Sequence, residues 1–150
     1  IGLFWSIGVV AEIALFALAG KFKERIGPLT LLTAAALAGV IRWLLLAMLE
    51  NHVALFVTQI LHCFTFGAAH LGAMTFLSKT IPNDVFATGQ GIYYTLVGGV
   101  FSGCMLPVAG FLFTSMAGNA FYFMAILSAF ALGGLYLLSR CSYQNLENEH

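Results

Sequence analysis

The sequence predicts an all-α membrane protein with five transmembrane helices. Hydrophobic residues make up 61% of the chain and charged residues only 8%, with a mean hydropathy of +0.96. Soluble domains carry roughly 25% charged residues. At about 20 residues per crossing plus short loops, the length allows five or six helices. A net charge of zero offers nothing to nucleic acid or to an anionic partner. The three cysteines, at unrelated spacings, build neither a disulfide framework nor a zinc site.

The transmembrane bundle is expected over residues 1–140, with a polar cytoplasmic tail at 141–150. The first span covers residues 1–19, and its Trp5, Gly8, Glu12 and Phe16 recur at helical spacing, so they share a face. The chain is already apolar at Ile1 and shows no charged leader or cleavage site there. That predicts a fragment without a signal peptide, its upstream helices missing. Next comes the one dense charge cluster, Gly20-Lys21-Phe22-Lys23-Glu24-Arg25-Ile26-Gly27-Pro28. Gly27 stops one helix and Pro28 starts another. The second span covers 29–49, with Gly39, Arg42 and Leu46 along one side.

After a short turn at 50–52, the third span runs over 53–79. Residues 80–91 read as a polar loop built on Pro82, Asn83 and Asp84. The fourth span, 90–116, is rich in small residues. Its Gly99 and Gly103 would let another backbone come close, and Pro107 should kink it. A turn at 117–119 leads to the fifth span, 120–139. The loop cations Lys21, Lys23, Arg25, Lys79 and Arg140 all fall on one side of this topology. That side, with the C-terminus, is expected to be cytoplasmic.

The third span carries the densest polar signal. With Gln59 at zero and about 100° per residue, His62 falls at roughly −60°, Phe66 at −20° and His70 at +20°. Gln59, His62, Phe66 and His70 therefore share one stripe, and Thr65 lies in the same span. Hydrocarbon penalises such a stripe unless it faces protein or water. Bonding to neighbouring helices is one use for it; lining a cavity is the other. Glu12 and Arg42 also lie inside apolar spans and are natural partners, since a carboxylate at mid-membrane either neutralises or finds a cation. An acid, a base that stays charged and histidines are the parts of a proton-coupled transporter. Trp5, Phe16 and Phe66 would supply aromatic walls beside Thr65. His62 and His70, two turns apart on one helix, cannot share a metal ion. No zinc-protease motif, nucleophile elbow or phosphate loop is present.

Gly20 to Gly27 reads G-x-F-x-E-R-x-G, with Gly20, Glu24, Arg25 and Gly27 as its fixed points. It resembles the cytoplasmic signature loop of the major facilitator superfamily, in the copy between helices eight and nine. G-V-V-A-E-I (Gly8 to Ile13), V-I-R-W (Val40 to Trp43) and Q-I-L-H-C-F-T-F-x-x-x-H (Gln59 to His70) are more specific. They resemble bacterial phenylpropionate permease-like transporters, neighbours of the oligosaccharide and nucleoside proton symporters. The resemblance spans nearly the whole chain, as helices eight to twelve of twelve.

A more distant likeness to the lactose permease branch implies roles for single positions. Arg42 and His62 stand where that branch has a functional arginine and histidine, and Glu12 lies about one turn from its sugar-binding carboxylate. Thr65 stands where the branch carries its proton-coupling carboxylate, so the sequence departs from the pattern there.

What the resemblance implies is most of the C-terminal six-helix bundle of a secondary active transporter in a bacterial inner membrane. The expected activity is proton symport of a small organic solute into the cell, with an aromatic acid such as phenylpropionate as the leading class. A nucleoside or oligosaccharide symporter and an uncoupled or efflux carrier are the alternatives. Glu12, Arg42, Gln59, His62 and His70 are the expected substrate or coupling residues; Trp5, Phe16, Thr65 and Phe66 are the expected walls. No cofactor or metal is expected. The expected partners are the solute, protons, the lipid bilayer and the N-terminal half of the transporter.

Overall fold

Small side chains lie between the helices and large ones cover the outside, the reverse of a soluble protein. The computed structural model describes the backbone of residues 2–22, 26–49 and 51–147, and the side chains of residues 6–19, 26–49, 51 and 55–140. Among these, the buried apolar residues are Ala35, Ala38, Cys63, Ala68, Ala120 and Ala125, while Phe130, Leu106 and Phe111 are each more than 70% exposed. Lipid tails are as apolar as leucine, so large side chains gain little by turning inward. Close backbone packing at small residues holds such helices together.

Helix α1 spans Gly2–Phe22 and α2 spans Pro28–Met48. Gly27 caps α2 in extended geometry and Pro28 takes its first turn, where the missing N–H would be unpaired anyway. Helices α3 (His52–His62) and α4 (Ala69–Thr80) form one continuous rod through a π-helical turn at Cys63–Ala68. Helices α5 (Phe86–Tyr94) and α6 (Ser102–Met116) are joined in the same way through Thr95–Phe101. A 3₁₀ turn at Ala117–Asn119 leads into α7, Ala120–Glu147.

The α3–α4 rod is central. α1 runs parallel to it, since Gly8 lies against Gln59 and His62, and Leu15 against Gly67. α2 runs antiparallel to it, with Arg42 at Thr58 and Leu32 at Gly72. On its far side α2 packs along α7, again antiparallel, through Trp43 on Phe121 and Gly39 on Ser128. Helix α5 folds back along α4, where Gln90 donates to the Met74 sulfur at 3.3 Å.

Three stretches among the described residues are long and apolar enough to cross a bilayer: Pro28–Met48, Leu55–Thr80 and Phe86–Arg140. Ser6–Ala19 is a shorter apolar helix. Five spans are therefore not counted by this measure. The 3₁₀ turn keeps Phe86–Arg140 helical throughout, and the described part of α1 is short.

One local expectation shifts. Helix α5 begins at Phe86, so the reversal is confined to 81–85 and the glycines at 89 and 91 are helical rather than looped. Helix α6 runs on through Pro107, and the α-helical pattern gives way at Thr95–Phe101. Among the described residues nothing would lie within 4 Å of a Cβ at Gly99 or Gly103, so the small face of this helix is open to them.

Candidate functional site

The site is built where α2, the α3–α4 rod and α7 meet. A cleft of about 530 Å³ lies there, lined by Gly39, Arg42 and Trp43 from α2, His62, Thr65 and Phe66 from the rod, and Ser128 and Leu135 from α7. Small residues make room for it. A Cβ on Gly39 would stand 2.9 Å from the Ser128 hydroxyl and 3.3 Å from its Cβ, so only glycine lets α2 and α7 approach this closely.

Arg42 is half-buried, and its Nε donates to the Thr58 carbonyl at 3.1 Å. Its guanidinium carbon lies over the Trp43 ring, 4.6 Å from the centroid. Such a contact is attractive because the ring face is electron-rich, and it strengthens where water is excluded. The expected ion pair with Glu12 does not form among the described residues; the Thr58 carbonyl and the Trp43 ring hold the guanidinium instead.

His62 lies within electrostatic reach of both Arg42 and Glu12. Its ring stacks on Phe66 at 6.0 Å, and its Nδ1 is buried with no hydrogen-bond partner among the described residues. Thr65 donates to the His62 carbonyl at 3.0 Å, so its hydroxyl is tied to the backbone. A Cβ on Gly8 would sit 3.4 Å from His62 Cδ2 and 3.7 Å from Gln59 Oε1, which places His62 and Gln59 against α1.

The expected single stripe divides into two faces. His62, Thr65 and Phe66 line the cleft, but His70 does not. Its ring meets Phe16 of α1 edge-on at 6.0 Å, and its Nε2 lies 3.5 Å from the Tyr94 hydroxyl on α5. The helical wheel assumed 100° per residue throughout. The turn at Cys63–Ala68 holds more residues per turn, so the phase of everything beyond it lags.

Glu12 also lies off the cleft. Its Cγ faces Gly67, beside Leu15 and Phe16. Of the remaining expected residues, Gly20 lies in the last turn of α1 and Gly27 caps α2, while Glu24, Arg25 and the Trp5 side chain lie outside the described residues.

Trp43 and Ser128 line the cleft without having been singled out from the sequence. For Trp43 the signal was its place beside Arg42; for Ser128 it was a hydroxyl within an apolar span. A second cleft, of about 360 Å³, opens between α1, α2 and the rod. It is almost wholly apolar, with Leu15, Leu31, Phe64 and Leu71 in its walls.

Residues 1–125 match the MFS_1 like family. Over 128 residues the chain is 34% identical to a protein of Escherichia coli (strain K12) named as a probable 3-phenylpropionic acid transporter. That match covers 85% of this chain and 34% of the relative, so the chain spans about a third of the relative's length. No solved structure matches.

Proposed function

The chain belongs to the MFS_1 like family, and on that premise we propose that it is part of a secondary active transporter that imports a small aromatic carboxylate. The observation that carries this reading is the convergence of Arg42, His62, Trp43 and Phe66 on one cleft between helices. An arginine cannot shed its charge, and a carboxylate is the solute group its donor fork matches best. Trp43 and Phe66 make part of the lining aromatic, so the cleft suits a molecule with a ring at one end and an anion at the other. The relative named as a probable 3-phenylpropionic acid transporter supports the same class.

In this reading the chain supplies one wall of the solute path. The facing wall comes from helices outside this stretch, in keeping with a match to about a third of the relative. Rocking of the two walls about a midplane site then gives alternating access. Protons drive the import, with Glu12 and His62 as the exchanging groups on this side. Glu12 and Arg42 are not bonded to one another among the described residues, which supports separate roles for the two. The membrane is the bacterial inner membrane, with the C-terminus in the cytoplasm.

The test is uptake of labelled 3-phenylpropionate by the full-length carrier in proteoliposomes, with and without an inward proton gradient. A nucleoside and an oligosaccharide are run alongside. Concentrative uptake of the aromatic acid alone is expected. Preference for the nucleoside or the oligosaccharide would overturn the substrate class, and accumulation indifferent to the gradient would overturn proton coupling.

A further inference from the structure

The guanidinium of Arg42 lies at the end of a ring stack that begins on another helix. Its Nε donates to the Thr58 carbonyl, which sets one edge of the planar group. The Trp43 ring, 4.6 Å from the guanidinium carbon, backs its face. Trp43 in turn stacks on Phe121 of α7, with ring centroids 5.8 Å apart and planes at 17°. Phe121 is itself braced, following buried Ala120 at the start of α7 and meeting Phe113 of α6 at 6.1 Å and 58°. Phe121 is not among the residues lining the cleft.

We propose that Phe121 is a positioning residue for anion recognition: through Trp43 it holds the Arg42 guanidinium in the orientation that meets a carboxylate. The inference rests on the reading of the cleft as a carboxylate site. It places control of anion selectivity at the α6–α7 junction, away from the solute. Swinging the guanidinium weakens its hold on a carboxylate and leaves contacts to an uncharged ring in place. A residue that only packed α7 against α2 would, when lost, weaken all solutes alike.

The experiment uses the full-length carrier in detergent with Trp43 as its sole tryptophan, and compares Phe121→Leu with Phe121→Tyr, which keeps the ring. Binding of 3-phenylpropionate and of its neutral amide, 3-phenylpropanamide, is measured together with Trp43 fluorescence anisotropy. Phe121→Leu should lower affinity for the carboxylate roughly three- to tenfold, the range of a partly desolvated cation–π contact, and leave the amide unchanged. Trp43 anisotropy should fall in the same variant. Phe121→Tyr should behave as the parent, and Phe121→Leu should add nothing in an Arg42→Gln background.

Equal losses on both solutes, or a further loss without Arg42, would overturn the proposal. Unchanged Trp43 anisotropy in Phe121→Leu would overturn it whatever the solutes do. A parent carrier that does not prefer the carboxylate to the amide sinks the carboxylate reading instead, and the anisotropy then decides separately whether Phe121 holds the stack.

Discussion

Arg42 reaches across from α2 and donates through Nε to the main-chain carbonyl of Thr58, at 3.1 Å. Thr58 is fully buried, with its own hydroxyl bonded to the Leu55 carbonyl, so the acceptor sits on a rigid segment. Nε lies part-way along the arginine side chain. The bond therefore anchors the stem and leaves the terminal nitrogens for the cleft.

Lysine has no donor at that point. Its single ammonium can satisfy the Thr58 carbonyl or reach a solute, but not both. Arg42→Lys should therefore lower uptake of the aromatic carboxylate at least roughly tenfold, the order of one charge-assisted hydrogen bond. Membrane abundance should stay normal. Uptake by the full-length carrier, normalised to its amount in the membrane, checks this; parental rates for Arg42→Lys would show that the fork has no role.

Glu12 lies within electrostatic reach of His62 but is not bonded to Arg42. Glu12→Gln keeps the shape and removes the exchangeable charge. It should retain solute binding and counterflow while losing accumulation against a gradient, and His62→Ala should weaken binding itself. Counterflow and proton-driven uptake, measured on the same vesicles, separate the two. If Glu12→Gln still concentrates solute under a proton gradient, the coupling group lies elsewhere in the carrier.

Two glycines that both pinch helices together should respond differently to a methyl group. At Gly39 the added Cβ meets the Ser128 hydroxyl at 2.9 Å and the Ser128 Cβ at 3.3 Å, and that second atom is fixed to the α7 backbone. Gly39→Ala should destabilise by about 1–3 kcal/mol, as overpacking does, with partial rescue by Ser128→Ala. At Gly67 the nearest atom is the Cδ2 end of Leu15, at 2.7 Å, which a rotamer change can move. Gly67→Ala should cost less than about 1.5 kcal/mol, the scale of an off-rotamer side chain. Thermal unfolding of the purified carrier in detergent ranks the two; an equal or reversed order would contradict the packing described.

The loop cations predict which ends face the cytoplasm. Single cysteines at the exposed positions Asp84, Asn51 and Asn119, in an otherwise cysteine-free carrier, report it. Whole-cell labelling with an impermeant maleimide should modify 51 and 119 and spare 84. Modification of 84 alone from outside would invert the topology.

Membrane residence, helical content and family were all legible in the sequence. Apolar composition adds up residue by residue, and a helix in lipid satisfies its own backbone hydrogen bonds. Neither judgement needs to know which helix lies beside which. The motifs around Glu12, Arg42 and His62 were legible for a related reason: charged and imidazole groups are costly inside apolar segments, so they stand out against them.

What each polar side chain meets was decided only by the tertiary structure. Glu12 and Arg42 looked like partners because an acid and a base in apolar spans favour each other. The helix order instead sets α3 between α1 and α2, so Arg42 meets a carbonyl of α3 first. His62 and His70 shared a stripe on an ideal wheel, but the wide turn at Cys63–Ala68 changes the phase between them and sends His70 to Phe16 and Tyr94. Phe121 enters the argument through a contact across 78 positions of sequence, with Trp43. Polar pairing in a bundle depends on which helices touch and at what rotation, and both follow from packing among many small residues at once, which no single segment encodes.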